Sequence, residues 1–401
     1  MSSELRVELD VLGLDDGGDV LLGWQLRGAA PGTRVIVSST RDDLGVHAHA
    51  WARNRGHAIA AVRGDGCGFE LVVGSADAQR WHGATRAGAS DPRGEGAIAD
   101  RAAGEWALAA RGALVEAGTA PIGFALSERD AIWADEAPQL YAQGAGAQWD
   151  PARAIPWDAP IEHAAPIEDA IVQVMTYLIE NETAALLVPA RFLAQIHPHF
   201  REVLQVLALQ CADEARHIEV FTRRATLRRG ELGTSSAGGQ ASLRTLLDEP
   251  DFALASFLLS VLGEGSFLAL LWFLDRHAPD PVTRAVARLA AQDEARHVAF
   301  GLAHLQRHVA HEPALAERMI AAVQRRHDAL AHTSGLNADV FDALVVIAAG
   351  ALVPSAIARG HVAVRELVDD MDRGRQKRLA KLGFSSEQAH ALSQLHTKNF
   401  M

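Results

Sequence analysis

The sequence Asp-Glu-Ala-Arg-His occurs twice in this chain, at residues 213–217 and again at residues 293–297. Each copy places a glutamate three residues before a histidine. The two pairs are Glu214 with His217 and Glu294 with His297. Residues three apart lie on the same face of an α-helix, so the carboxylate and the imidazole of each pair point to the same side. The repeat therefore predicts two helices that each present a Glu-x-x-His pair.

A further glutamate precedes each copy by about one helical hairpin. Glu264 lies 30 residues before Glu294 inside an apolar helix pattern, and Glu182 lies 32 residues before Glu214. Glu180 is the alternative to Glu182, but its separation of 34 residues matches less well. Glu182 and Glu264 also both begin a Glu-x-x-x-Leu pattern. We therefore expect Glu182 and Glu264 to complete the set.

Four carboxylates and two imidazoles on four helices are the ligands of a carboxylate-bridged di-metal centre in a four-helix bundle. The predicted ligands are Glu182, Glu214, His217, Glu264, Glu294 and His297. This mixture of oxygen and nitrogen favours iron or manganese. We expect two iron ions, with manganese and iron as the alternative pair and O₂ as co-substrate. Metal-binding histidines usually donate their second N–H to a carboxylate. Asp213 is expected to serve His297, and Asp293 to serve His217.

Composition excludes several classes of protein. The chain has 401 residues, of which 49% are apolar and 22% charged, so it is long and apolar enough to fold into two or three domains. A net charge of −12 argues against a nucleic-acid partner. The longest apolar run, Phe252–Leu262, is expected to fall short of a membrane span, and no signal peptide is evident. With only two cysteines, a cytoplasmic location is expected.

The pattern divides the chain into three parts. Residues 1–80 suit a small α/β domain, 81–160 a linker or strap, and 161–401 a helical domain. In the strap, helices are expected at 98–117 and 128–144. In the helical domain, they are expected at 166–188, 198–229, 250–277, 281–311, 314–333, 337–372 and 385–395, with Pro189 ending or kinking the first and a flexible crossover at 230–239. The fold class is thus mainly α, a ferritin-like four-helix bundle with flanking helices, preceded by a small α/β domain.

The first 80 residues resemble the small sulfur-carrier (TusA-type) family. The resemblance rests on Leu9-Asp10-Val11-Leu12-Gly13-Leu14, Pro31-Gly32-Thr33 and Trp51-Ala52-Arg53-Asn54-Arg55-Gly56-His57. It implies the family's fold. The family's activity depends on a Cys-Pro-x-Pro turn after the first strand, where this chain has Asp15-Asp16-Gly17-Gly18. Without that thiol, the resemblance implies a fold that has lost its sulfur chemistry.

The second copy of the repeat, with Val298-Ala299-Phe300-Gly301 after it, resembles the metal motif of ferritin-like di-iron oxidases and oxygenases. This group includes the ribonucleotide reductase small subunit, its ligand-binding oxidase relatives and arylamine N-oxygenases. The resemblance covers about residues 161–312 and implies O₂ activation followed by substrate oxidation. Arylamine N-oxygenases carry a further histidine where this chain has Ala290. No tyrosine follows the first Glu-x-x-His, where the reductase keeps its radical tyrosine.

The expected function is a di-metal oxidase or oxygenase that acts on a small organic substrate. Its expected partners are a reductase or another electron donor and a second copy of the chain. Two alternatives stay open: an iron-storage or peroxide-scavenging protein, and a non-catalytic interaction protein stabilised by metal. Arg216 and Arg296 are expected to face outward or to clamp a carboxylate. His304, His308 and His311 are expected on a solvated helix face.

Overall fold

The computed structural model describes residues 4–75, 81–94, 96–330 and 338–395. These residues form two compact units. The first unit contains the chain up to Ala97 together with Ala103–Ile122, and the second contains Ile98–Ala102 together with the chain from Gly123 onward. The segment expected to be a strap is therefore shared between the two units.

The N-terminal unit is a four-stranded sheet with two helices. Its elements are β1 (Glu4–Glu8), α1 (Gly18–Gln25), β2 (Arg34–Ser38), α2 (Leu44–Asn54), β3 (Ala58–Val62) and β4 (Gly68–Val72). The strand order is β1-β2-β4-β3, with β1 parallel to β2 and the other pairs antiparallel. Leu22, Val35, Leu44 and Leu71 are fully buried in its core. The prediction of a small α/β domain before the bundle is confirmed.

The prediction of a helix over residues 98–117 is wrong. This segment contains a single 3₁₀ turn, Gly104–Trp106, and the short strand β6 (Leu114–Val115), which pairs with β5 (Thr85–Arg86). Ala107 and Gly112 both have positive φ, at 45° and 88°. An α-helix cannot pass through residues in that conformation.

The second unit is almost entirely helical. Its helices are α3 (Arg129–Ile132), α4 (Ala137–Gly146), α5 (Ala165–Leu193), α6 (Arg201–Thr226), α7 (Ala237–Leu247), α8 (Phe252–Ser256), a π-helix (Phe257–Glu264), α9 (Gly265–His277), α10 (Pro281–His311), α11 (Leu315–Leu330), α12 (Ala338–Ala349), α13 (Pro354–Lys381) and α14 (Ser386–Gln394). The helix expected at 128–144 is replaced by the separate helices α3 and α4.

Four long helical segments make the bundle. Short connections join α5 to α6 and α9 to α10, so each pair forms a helical hairpin. The connection between the two pairs, expected to be a flexible crossover, contains α7. α12 packs on α5, and α13 packs on α9 and α12. The predicted fold class, a ferritin-like four-helix bundle with flanking helices, is confirmed.

A buried ion-pair network fixes one end of the bundle. Arg224 of α6 donates from Nη1 and Nη2 to the carboxylate of Glu168 on α5, at 2.8 and 3.0 Å. The same guanidinium donates to Asp280, the N-cap of α10, at 3.0 Å. All three side chains are buried. Because buried charges are stable only when they are paired, this network fixes α5, α6 and the start of α10 relative to one another.

Two helix boundaries differ from those predicted. Pro189 does not end α5, which continues to Leu193. The single helix expected over residues 337–372 is two helices, α12 and α13, whose axes differ by 117°. Gly350 has a φ of 66° just after α12, and Pro354 begins α13. Glycine after a helix and proline at the first position of the next are normal helix boundaries, so the sequence contained this signal.

The third bundle segment has the predicted length, but part of it does not have the expected α-helical geometry. Gly263 and Glu264 do not end the apolar run, because the helix continues through them in π geometry. Within the described residues, Ala165–Leu193 and Phe252–His277 are long and apolar enough to cross a membrane. The expectation that the apolar run beginning at Phe252 stops at Leu262 and falls short of a membrane span is therefore wrong. In this fold, 67% and 83% of their most apolar windows are buried inside the protein.

Candidate metal centre

The six predicted ligands come from the four bundle segments. Glu182 projects from α5, Glu214 and His217 from α6, Glu264 from the last residue of the π-helix, and Glu294 and His297 from α10. All six residues are buried, none more than 3% exposed. Glu180, the alternative to Glu182, is only partly buried and lines a small cavity between α5 and residues 234–239.

The six side chains form two overlapping groups of four. In each group the nitrogen and oxygen atoms that can bind a metal lie within 4.8 Å of one another. The groups are Glu182, Glu214, His217 and Glu294, and Glu214, Glu264, Glu294 and His297. Glu214 and Glu294 belong to both groups, so they would be shared by two metal ions bound there. Glu182 and Glu264 each belong to one group.

Both imidazoles face the carboxylates through Nδ1. His217 Nδ1 lies 3.1 Å from Glu214 and 3.5 Å from both Glu182 and Glu294. His297 Nδ1 lies 3.0 Å from Glu214 and 3.4 Å from Glu294. The two halves of the site are thus built alike, with one histidine, one terminal glutamate and the two shared glutamates in each.

The donor atoms fit a pair of iron or manganese ions. Among the described residues, no hydrogen bond satisfies either carboxylate oxygen of Glu294, Oε1 of Glu182 or Oε2 of Glu264, although all are buried. His297 Nδ1 is also buried without a hydrogen bond. Buried polar atoms without partners are costly, and two divalent cations would supply the missing partners. Four carboxylates would also neutralise two such ions, and oxygen with imidazole nitrogen suits iron or manganese.

Without metal, the surroundings of the two terminal carboxylates favour their protonated form. Burial and then the charges of Glu214 and Glu294 raise the pKa of Glu182 well above its ordinary value. Burial and then the charge of Glu294 do the same for the pKa of Glu264. Like charges held close in a dry interior favour the neutral form. Metal binding at these positions would therefore have to displace protons.

The pKa values of the two histidines and of Glu214 are shifted in the direction opposite to the one that burial alone would cause. Burial alone would lower the pKa of His217 and of His297, but the glutamates facing them raise both pKa values well above the ordinary value. Burial alone would raise the pKa of Glu214, yet His297, followed by hydrogen bonds from neighbouring groups, lowers it well below its ordinary value. The metal-free cluster is therefore held together by ion pairs between imidazolium and carboxylate.

Each copy of the repeat supplies the aspartate that orients the histidine of the other copy. Asp293 Oδ2 lies 3.2 Å from His217 Nε2, and Asp213 Oδ2 lies 3.3 Å from His297 Nε2. An aspartate that accepts the Nε2 proton leaves Nδ1 free to bind metal. Asp213 and Asp293 are both buried. Burial alone would raise the pKa of each, but hydrogen bonds from the histidines lower it below the ordinary value.

Arginines and two further side chains complete the surroundings of the aspartates. Arg216 donates to Asp213 and, at 2.9 Å, to Asp293, and Arg296 also donates to both aspartates. Both arginines therefore clamp carboxylates. The consecutive residues Gln148 and Trp149 donate to Asp213 and Asp293, at 2.9 and 2.8 Å. Trp149 is partly buried, and Asp293 provides the acceptor that its indole N–H needs there.

Sequence reasoning also missed Gln210 and misjudged two histidines. Gln210 Nε2 donates to Glu264 Oε1 at 2.8 Å and so fixes that carboxylate. His304 and His308 were expected on a solvated face, but both are buried, and His304 lies between the rings of Phe252 and Phe300. Cys211 is partly buried, and burial raises its pKa to about 11, so its thiol is not reactive.

Comparisons with known proteins give matches among solved structures alone. No protein-family model matches the chain, and no curated protein matches it. An R2-like ligand-binding oxidase from Sulfolobus acidocaldarius is 17% identical, with a TM-score of 0.41, over 64% of this chain and 94% of that one. The V72L mutant of an R2-like ligand-binding oxidase, with an aerobically reconstituted Mn/Fe cofactor, is also 17% identical over the same shares, with a TM-score of 0.45. A V72I mutant with the same kind of cofactor is 14% identical, with a TM-score of 0.42, over 66% of this chain and 93% of that one.

Proposed function

We propose that this chain is an O₂-dependent oxidoreductase with a carboxylate-bridged pair of metal ions. One observation carries the proposal: six buried ligands form two groups of four that share Glu214 and Glu294. The buried oxygens of Glu182, Glu264 and Glu294 that lack hydrogen-bond donors support it, since two cations would satisfy them. The proposed ions are two iron ions, with manganese and iron as the alternative pair.

When bound, the reduced metal pair would supply electrons to O₂ for the oxidation of a small organic substrate. The protein's own part is to hold the site. Asp213 and Asp293 keep the histidine Nδ1 atoms directed at the centre, and Gln210 fixes Glu264. The buried surroundings exclude water from the carboxylates. Oxidation of a substrate by O₂ needs electrons, so the proposal includes a reductase or another electron donor in the cytoplasm.

For the N-terminal unit we propose a docking or dimerisation role without sulfur chemistry. At the turn where a sulfur carrier has its cysteine, Asp16 Oδ1 accepts from the backbone N–H of Gly13, and Asp16 Oδ2 accepts from Arg41 at 2.8 Å. These side chains stabilise the turn but provide no nucleophile. A second copy of the chain is the partner that we propose first, and chromatography of the full chain with light scattering tests it.

The proposed activity is tested by loading the protein with Fe²⁺, or with Mn²⁺ and Fe²⁺, without oxygen, and then admitting O₂. We expect two metal ions per chain and consumption of O₂ on mixing. Glu214→Gln is the inactive control, because it removes an oxygen ligand common to both groups.

The alternatives give different results in the same experiment. Binding of many iron ions per chain in a large shell-like particle would indicate storage. Faster reaction with hydrogen peroxide than with O₂ would indicate peroxide scavenging. Two bound metals with no O₂ consumption, with or without a reductant, would indicate a structural centre and overturn the proposal.

A further inference from the structure

The third bundle segment changes from α to π geometry just before it presents Glu264. The π-helix spans Phe257–Glu264, and every residue in it is buried. At its end, the N–H of Gly265 bonds to the carbonyl of Ser260, five residues back. A π turn contains one residue more than an α turn, and one residue corresponds to about 100° of rotation about the helix axis. The direction of Glu264 therefore depends on this segment keeping its π geometry.

Arg378 of α13 contacts the segment on both sides of Glu264. Its Nε donates to the carbonyl oxygen of Val261 at 2.6 Å. Its guanidinium then lies against Gly265, where a Cβ would collide with Cζ and Nε of Arg378. Only glycine at position 265 leaves room for this side chain.

A second arginine on α13 supports the same segment. Arg375 Nη1 donates to Ser266 Oγ at 3.1 Å, and Ser266 Oγ donates in turn to the carbonyl of Leu262 at 2.7 Å. Arg375 Nε donates to Ser393 Oγ of α14 at 3.0 Å. Hydrogen bonds from α13 thus reach positions 261 and 266, which flank Glu264.

Neither arginine is explained by an ion pair. Among the described residues, no carboxylate lies within 4 Å of the guanidinium nitrogens of Arg375 or Arg378. The Nη2 atom of each arginine is buried without an acceptor. Burial lowers the pKa of each to about 10, so both remain charged at neutral pH. Arg375 is linked to the carboxylate of Asp372 through Ser393, whereas Arg378 has no such link, and a buried cation without a counter-ion is unfavourable in itself. Apart from the bond from Arg375 to Ser393, their hydrogen bonds go to Val261 and Ser266, on either side of Glu264.

We propose that Arg378, together with Gly265, is a positioning device that holds the π-helix and so directs Glu264 at the metal centre. Arg378 touches neither metal nor substrate and acts through the carbonyl of Val261. This inference rests on the proposed metal centre. It goes beyond that centre by assigning a role to Arg378, on a flanking helix, and to the glycine that follows Glu264.

The test measures Mn²⁺ binding by electron paramagnetic resonance in the native protein and four variants. Arg378→Met should weaken the binding of one of two Mn²⁺ ions by tenfold or more, the range usual for residues that orient metal ligands. Gly265→Ala should have the same effect, because its methyl group displaces the guanidinium. The double variant should bind Mn²⁺ no more weakly than either single variant, because the single variants and the double variant all break the same contact. Arg373→Met is the matched control, because Arg373 is exposed on the same helix and pairs with Asp370.

Amide hydrogen exchange of the metal-free proteins gives a second readout. Residues 261–266 should exchange faster in Arg378→Met and in Gly265→Ala, while α10 should be unchanged. If Arg378→Met does not fold, Arg378→Lys keeps the charge but lacks the planar fork, and it should show the same loss of Mn²⁺ affinity.

Equal Mn²⁺ affinity in Arg378→Met and the native protein would overturn the inference, as would additive losses in the double variant. Failure of the proposed function looks different, because then the native protein itself would bind no pair of Mn²⁺ ions. The exchange measurement would still decide whether Arg378 holds the π-helix.

Discussion

Asp293 Oδ2 lies 3.2 Å from Nε2 of His217, although the two residues belong to different copies of the repeat. The reciprocal pair, Asp213 and His297, is separated by 3.3 Å. The repeat thus encodes both the ligands and the groups that orient them, in a crossed arrangement between α6 and α10. A single copy could not orient its own histidine in this way, because its aspartate is paired with the histidine on the facing helix.

Asp293→Asn should weaken metal binding by about 10- to 100-fold, and it should also lower stability, because Arg216 and Arg296 lose a buried charged acceptor. The asparagine amide can donate to Nε2 of His217, which would place the imidazole proton on Nδ1, the atom that faces the carboxylates. Mn²⁺ titration measures the affinity, and thermal unfolding of the metal-free protein measures the stability. Asp370→Asn, an exposed aspartate on α13, is the control. An unchanged affinity would show that the aspartate does not set the tautomer.

Substitution of a shared glutamate should remove more metal ions from the protein than substitution of a terminal glutamate. Glu214→Gln and Glu294→Gln should each abolish binding of both ions, because each residue belongs to both groups of ligands. Glu182→Gln and Glu264→Gln should each lose one ion and retain the other. Elemental analysis after dialysis against Mn²⁺ gives the count per chain.

The control for the glutamate series is Glu180→Gln, which changes a partly buried glutamate on α5 outside the cluster. This variant should keep two ions. If Glu214→Ala and Glu294→Ala both leave the metal content unchanged, the assignment of the centre is wrong.

Metal affinity should rise with pH. The pKa values of Glu182, Glu264, His217 and His297 are raised in the metal-free protein, so these groups carry protons that the metal must displace. Glu214, whose pKa is lowered, contributes no such proton. Lower pH therefore favours the protonated, metal-free form. Adding Mn²⁺ to weakly buffered protein near pH 6 should release protons, which an indicator dye detects, and Glu182→Gln should release fewer.

The bounds of the bundle helices followed from local sequence, but their irregularities did not. Asp280 caps α10, and Pro281 occupies its first turn, so both the predicted and the observed helix begin at residue 281. The π-helix over residues 257–264 could not be predicted, because an apolar segment buried on all sides has no face that would reveal a change of period. Gly265 is the one local hint, and its meaning depends on Arg378, more than 100 residues later.

The six candidate ligands could be predicted from the sequence, whereas most of the residues around them could not. The repeat and its spacing indicated the six ligands, since chemistry requires those residue types at those intervals. Gln148 and Trp149 come from a turn-rich segment with no periodic pattern, and they reach aspartates 65 and 144 residues away. No local rule connects such distant positions. His304 was misjudged because histidines at helical spacing resemble a solvated face until the neighbouring helices are placed.

His304 should make the metal-free protein less stable as the pH falls below about 6.5. Its ring is fully buried between Phe252 and Phe300, and neither ring nitrogen has a hydrogen bond among the described residues. Burial, with a smaller contribution from the charge of His308, lowers its pKa from 6.5 to about 3. Between these two pH values the unfolded chain binds a proton that the folded chain does not. Stability therefore falls by up to about 1.4 kcal/mol per pH unit in this window and is independent of this group above it.

His304→Phe isolates this contribution. Urea unfolding of the metal-free protein at several pH values should show the variant gaining about 2 kcal/mol relative to the native chain between pH 6.5 and pH 5. His327→Gln, which removes a half-exposed imidazole on α11, is the control for the loss of a histidine. A constant difference between His304→Phe and the native protein across this range would mean that the folded protein takes up a proton at His304. The ring would then need a hydrogen-bond acceptor, which in this interior would have to be a buried water molecule.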